Sequence, residues 1–278
     1  MKLAVAVAGD QAPPDAFVVW RGFESSIRKA ADLGYHGVEL ALETAADVDR
    51  SALAGWLKTA GMDVSCISTG QVFACLGLYF THPDPDARAR VVEVFEGLVD
   101  LAADFGGLVN VGRARGFVAD SQTREEAEAL FVDTARRICD TAAARDVTLI
   151  IEPVNRYEIN FVNNLDEGAA LAARTGCANL GLMPDVFHMN IEDAQIGESL
   201  ARHADLVKYI HFADSNRLAP GQGHLDFEDV LGGLRRGGFD GWASIEILPR
   251  PDPDTAARQA AETVLPWIAS YRPAAAGN

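Results

Sequence analysis

The sequence predicts a single-domain (β/α)8 TIM barrel, and three observations carry the prediction. Eight short apolar runs of β-strand character alternate with longer amphipathic segments along the whole chain, the pattern of a parallel sheet with helical crossovers. The length of 278 residues suits one such barrel, which takes about 250. Polar residues also close, or fall just past, four of the later runs: Glu152 in VTLIIE, Asp185 in LGLMPD, His211 in LVKYIH and Glu246 in WASIE. These four recur at roughly one strand–helix repeat of about 31 residues, so they would converge at the C-terminal mouth of a barrel, where such folds keep their active sites.

The predicted strands are 3–8, 37–41, 64–68, 108–111, 147–152, 180–183, 206–210 and 242–247. The first lies in MKLAVAVAGD, too short an apolar run for a signal peptide and without a small-residue cleavage pattern, so it reads as a strand. Asp84-Pro85 starts a helix, because proline suits the first helical position. That helix sets Val91, Phe95, Leu98, Ala102 and Phe105 on one stripe and Glu93, Glu96, Asp100 and Asp104 on another, as an amphipathic helix should. Thr123 with Glu126 makes a capping box, and Asn164 with Glu167 a weaker one. Gly34, Gly61, Gly106 and Gly176 fall where helices should end. No linker, charge block or shift of composition divides the chain, so residues 1–278 read as one domain with a loose tail over 272–278. An open doubly wound sheet would carry a glycine-rich phosphate loop after its first strand, and Ala8-Gly9-Asp10-Gln11-Ala12 is not one.

Composition narrows the function. A hydrophobic content of 49% supports a sizeable core, and a net charge of −16 argues against nucleic acid, whose phosphates demand a basic surface. No run approaches the roughly 18 apolar residues of a membrane helix. Cys66, Cys75, Cys139 and Cys177 contain no C-x-x-C pair, which fits free thiols in a reducing, cytoplasmic compartment.

Glu246 is the most informative single residue, because a carboxylate inside an apolar run is costly unless a cation or donor compensates. Three carboxylates and one imidazole suit a divalent cation, with Mn²⁺ expected and Co²⁺ or Mg²⁺ as alternatives. Pro153 stops the strand after Glu152; beyond it, Arg156 and Glu158 taken alone read as a surface ion pair worth little. His188 follows Asp185 by three residues, close to one helical turn, which would turn both toward one pocket. Arg217 ends the segment ADSNR after His211. After the fourth strand the chain reads GRARGF, where Arg113 and Arg115 either balance an acidic surface or clamp a carboxylate or phosphate. Cys66, near the end of the third strand, either lines the pocket wall or is a small buried thiol.

The segments EPVNRYE, PDVFHMNIED, HFADSNR with the later GQGHLDF, and SIEI resemble the xylose-isomerase-like barrel family of sugar isomerases and epimerases. Within it they look most like the ketose 3-epimerases of tagatose/allulose type and a related branch acting on keto-sugar acids. The resemblance implies that Glu152, Asp185, His211 and Glu246 bind the metal, and that Glu152 and Glu246 transfer protons on opposite faces of the substrate. It implies further that Glu158, His188 and Arg217 hold oxygens near the reacting carbons, and that the chain forms a homo-oligomer, a dimer or tetramer. The segment GRARGF, with Arg113 and Arg115, departs from the resemblance, since neutral-sugar 3-epimerases should carry an aromatic wall there. The expected activity is inversion of C3 in a ketose or keto-sugar acid, free or phosphorylated, through an enediolate. No nucleotide cofactor is signalled. A 1,2-aldose–ketose isomerase of inosose or hydroxypyruvate type would use the same ligands, as would a lyase. An abasic-site endonuclease would want more metal ligands and a basic groove. A non-catalytic sugar-binding barrel would have lost one of the four ligands.

Overall fold

The computed structural model describes residues 1–14 and 16–274. Its elements run β1 (Lys2–Ala8), β2 (Trp20–Arg21), α1 (Phe23–Asp32), β3 (Gly37–Ala41), α2 (Arg50–Ala60), β4 (Asp63–Ser68), α3 (Gly70–Leu76), α4 (Pro85–Asp104) and β5 (Leu108–Asn110). The second half continues with α5 (Arg124–Ala143), β6 (Thr148–Ile151), α6 (Leu165–Thr175), β7 (Leu180–Leu182), α7 (Val186–Glu192), α8 (Ile196–Arg202), β8 (Tyr209–Phe212), α9 (Phe227–Arg236), β9 (Trp242–Ile245) and α10 (Pro253–Ser270). Every strand pairing is parallel, in the order β7-β6-β5-β4-β3-β1-β9-β8. The ends of that row meet. Leu182 N donates to Leu206 O at 2.7 Å, Lys208 N to Leu182 O at 3.0 Å and His211 N to Pro184 O at 2.9 Å. Parallel bridges Leu182↔Val207 and Asp185↔His211 complete the seam. An eight-strand sheet that closes in this way is the predicted TIM barrel, and the closure excludes the open sheet.

Each predicted strand lies where the apolar runs placed it, with two differences. The strand expected at 206–210 forms at Tyr209–Phe212, where β9 runs alongside it from Tyr209, while Val207 before it makes an isolated parallel bridge to Leu182 at the seam. A ninth strand, β2, escaped prediction: its two residues pair only with Val7 and Ala8, too few to leave an alternating pattern.

The helix punctuation follows local chemistry. The Asp84 side chain accepts from Asp86 N and Pro85 opens α4, whose Val91, Phe95, Leu98 and Ala102 are buried against the sheet. Thr123 and Glu126 form the full reciprocal box. Asn164 caps α6, accepting from Glu167 N at 2.9 Å, but the Glu167 carboxylate binds Asn163 N at 3.2 Å, so only half of that box forms. Gly61 and Gly176 end α2 and α6 in the left-handed region, and Gly34 and Gly106 follow the ends of α1 and α4 at φ 84°. Ala274 N donates to Arg235 O at 3.0 Å, while the remainder of the expected loose tail, 275–278, lies outside the described residues. Among the described residues no helix is long and apolar enough to cross a membrane.

Candidate metal and substrate site

Glu152 follows β6, Asp185 starts α7 just beyond β7, His211 lies in β8 and Glu246 follows β9. One ligand atom from each falls within 4.8 Å of the other three. The focus is His211 Nδ1, 3.4 Å from Glu152 Oε1, 3.7 Å from Asp185 Oδ2 and 3.4 Å from Glu246 Oε2. That nitrogen is buried and, among the described residues, has no hydrogen-bond partner. A buried imidazole nitrogen facing three carboxylate oxygens fits a divalent cation, and the donor set suits Mn²⁺, Mg²⁺ or Co²⁺ as well as Zn²⁺. Burial disfavours a charged His211, yet Glu39 and Glu246 outweigh it and push the pKa well above the ordinary value. The pocket floor therefore attracts positive charge.

Neighbouring side chains aim each ligand. Asn110 Nδ2 donates to Glu152 Oε2 at 3.0 Å, leaving Oε1 to face His211, while Asn110 Oδ1 accepts from Gly112 N at 2.5 Å. A Cβ at Gly112 would sit 3.2 Å from Asn110 Nδ2 and 3.4 Å from Glu152 Oε2, so glycine lets the chain pass close to the site. Asp185 divides its oxygens: Oδ1 caps α7 through Phe187 N at 2.8 Å, and Oδ2 turns to the cluster. Behind His211, its Nε2 meets Glu39 Oε2 at 2.9 Å, and Tyr209 OH donates to the same oxygen at 3.0 Å. Burial would raise the pKa of Glu39, but His211 and Tyr209 hold it below the usual carboxylate value. The carboxylate–imidazole pair sets which ring nitrogen faces the cluster. Asn110 and Glu39 were not singled out from the sequence. Glu39 carried the same signal as Glu246, a carboxylate inside an apolar run.

A cavity of about 100 Å³ opens above the cluster, lined among others by Glu152, Glu158, His188, Arg217, Glu246 and Arg113. One buried water needs about 10–15 Å³, so this space suits a small molecule. Asn155 orients its far side: Oδ1 accepts from Tyr157 N at 3.0 Å, so Nδ2 donates to Glu158 Oε1 at 3.0 Å and to His188 Nδ1 at 2.8 Å. His188 thus carries its proton on Nε2, 3.9 Å from Asp185 Oδ2. Burial lowers its pKa to about 4, so it is a neutral donor at neutral pH. The Arg217 guanidinium bonds Asp185 Oδ2 and Glu246 Oε2 and lies between the rings of Phe17 and Phe187, at 5.2 and 4.8 Å from their centroids. Burial opposes ionisation of Asp185, but Arg217 and His188 outweigh it and hold the carboxyl well below the usual range. Arg217 has φ 61°, a left-handed conformation that costs a non-glycine residue about 1–3 kcal/mol and clusters at functional sites. Hydrogen bonds to Asp214 O and from Leu248 N, both 2.8 Å, hold it there.

The structure separates the remaining candidates. Arg115 is fully buried and spends its guanidinium on the carbonyls of Phe161, Gly112 and Val162 at 2.9, 2.9 and 3.1 Å; it braces the loops, and burial lowers its pKa to about 10. Arg113 lines the cavity, stacked over Phe73 at 5.0 Å. Cys66 packs inside the barrel with Ile150, Met183 and Tyr209, away from the cavity lining. Arg156 pairs with Glu192 at 2.6 Å, which frees Glu158 for the pocket.

Over residues 27–271 the chain matches the family described as xylose isomerase-like TIM barrel. An L-ribulose 3-epimerase of Mesorhizobium japonicum is 30% identical over 223 residues, covering 78% of this chain and 72% of the relative. A 3-dehydro-D-guloside 4-epimerase of Escherichia coli is 31% identical over a shorter 139 residues, 49% of this chain and 52% of the relative. A solved structure of an L-ribulose 3-epimerase superposes with a TM-score of 0.83 at 25% identity, covering 98% of this chain and 95% of the other. The chain belongs to the xylose isomerase-like TIM barrel family and is an enzyme of the isomerase and epimerase kind.

Proposed function

We propose that this enzyme is a divalent-metal-dependent epimerase that inverts C3 of a ketose or keto-sugar acid, using two glutamates as proton donor and acceptor. One observation carries the reading: Glu152 and Glu246 each bring an oxygen within 3.4 Å of the unpartnered His211 Nδ1 from strands three places apart in the eight-membered ring. They reach the same spot from well-separated sides, so a substrate lying between them offers a different face to each.

Glu152, Asp185, His211 and Glu246 would hold the ion, Mn²⁺ being the expected one. Bound there, it supplies Lewis acidity that polarises a carbonyl and neutralises the charge developing beside it. Glu246 removes the C3 proton, and Glu152 returns one on the opposite face; the pair exchange roles in the reverse direction. Asn110 orients Glu152, and Arg217 orients Glu246, so each carboxylate is aimed before substrate arrives. The enediolate formed between the two transfers is an oxyanion. Arg217 and the Nε2–H of neutral His188 supply donors to it, while Glu158 accepts from a substrate hydroxyl.

Incubation in D₂O with a panel of ketoses and keto acids, Mn²⁺ present, tests the reading. Deuterium at C3 together with the C3 epimer is the expected result. Label at C1 or C2 with an aldose product would replace it with the 1,2-isomerase, label at C4 with a 4-epimerase, and no label anywhere would sink it.

A further inference from the structure

The cavity wall carries two arginines, Arg113 and Arg217. Arg217 is committed to Asp185 and Glu246. Arg113 is different: among the described residues its guanidinium makes no ion pair and no hydrogen bond, its Nε is buried without an acceptor, as the Nε of Arg217 also is, and the group lies over the Phe73 ring. A buried donor left unsatisfied costs about 1–3 kcal/mol, so something other than the fold has to account for it.

The topology says where this group sits. Phe73 belongs to α3, which follows β4. In the closed ring β4 lies diametrically across from β8, the strand of His211, with β5, β6 and β7 between them on one side and β3, β1 and β9 on the other. Arg113 itself follows β5, the neighbour of β6 and Glu152, but its guanidinium lies over Phe73 on the β4 side of the mouth, the side remote from His211. A substrate with its reacting carbons at Glu152 and Glu246 would turn its far end toward the Arg113 fork.

We infer that Arg113 receives a carboxylate at the end of the substrate remote from the reacting carbons, so that the preferred substrate is a keto-sugar acid; the inference rests on the epimerase reading above. A planar guanidinium matches one carboxylate with two parallel hydrogen bonds. A phosphate has three terminal oxygens and nearly twice the charge, and this wall is short of donors for it. The Arg115 guanidinium is spent on three carbonyls, and the Gln71 amide nitrogen is bound to Ala41 O at 2.9 Å.

Three hexuloses that differ only at C6 test the assignment: D-fructose, D-fructuronate and D-fructose 6-phosphate. Their binding to the Mn²⁺-supplemented protein is measured by calorimetry, and their deuterium uptake from D₂O is followed in parallel. D-fructuronate should bind about ten- to a hundredfold more tightly than D-fructose, the range of a charge-assisted hydrogen bond. In R113Q that ratio should fall to near one, and in R113K it should survive in part; thermal melting of both variants checks that they fold. Equal binding of D-fructuronate and D-fructose overturns the inference, as does a preference that persists in R113Q. Tighter binding of D-fructose 6-phosphate than of D-fructuronate overturns the carboxylate assignment. The carboxylate preference without deuterium uptake would sink the epimerase reading and keep the Arg113 site, whereas uptake without the preference does the reverse.

Discussion

Glu39 lies inside an apolar strand and Glu246 just past the end of one, and their surroundings give them different jobs. Glu246 reaches the cavity, so Glu246→Gln, which keeps the shape and removes the base, should lower deuterium wash-in at C3 by at least about 10²–10⁴-fold while circular dichroism shows a folded chain. Turnover within a few-fold of the parent would refute the role. Glu39 is fully buried and bonds His211 Nε2. Glu39→Gln should weaken metal binding about 10–100-fold, read by calorimetry with Mn²⁺, and an unchanged affinity would remove Glu39 from the site. The four cluster residues were legible because each closes, or falls just past, a short apolar run in a fold whose mouth is functional. Asn110 and Asn155 were not, since an amide at the end of a short strand or in the loop after one looks like any other polar residue until its hydrogen bonds are seen. Arg113 and Arg115 could not be told apart by sequence: two arginines in GRARGF differ only in that one turns inward to three carbonyls and the other to the cavity.

At the scale of the element, punctuation was the most readable layer. Pro85, the Thr123–Glu126 box and the glycines ending helices act within one turn, so their effect is written locally. What the chain did not announce depends on distant partners. The two residues of β2 have no pattern of their own, and β8 begins at Tyr209 because that is where β9 comes alongside it. Two substitutions separate these kinds of control. Thr123→Ala removes the hydroxyl that accepts from Glu126 N and leaves the backbone N–H of residue 123 on Glu126 Oε2; it should cost about 1 kcal/mol, a Tm drop of about 2–4 °C for a chain of this size. Gly116→Ala should cost more. Gly116 has φ 89°, and an added Cβ would come within 2.1 Å of Thr81 Oγ1, so the turn carrying Arg113 and Arg115 must shift. A scanning calorimeter should rank Gly116→Ala as the less stable of the two, and the reverse order would mean that this turn yields easily.

Across the whole molecule, the barrel was legible from counting units, and the family from four motifs confined to its second half. The counting could not reveal how the ring closes, because closure is a contact between strands that the sequence merely spaces. It happens between β7 and β8, and it is thin: three hydrogen bonds and two isolated bridges, against the five-residue register that joins β1 to β3. Asp185 stands on one side of that join and His211 on the other, and they are themselves one of the bridges. A cation taken up by this pair would act as a bolt across that join. Amide exchange measured by mass spectrometry should therefore slow on adding Mg²⁺ or Co²⁺ in peptides spanning Leu182 and Lys208, with β1 and β3 unchanged, and chelation should restore the faster rate. Slowing spread evenly round the ring, or none, would show that the join holds without the ion. If the bolt is real, breathing of the barrel and loss of its metal are one event, and the lifetime of the loaded enzyme is set where the circle closes.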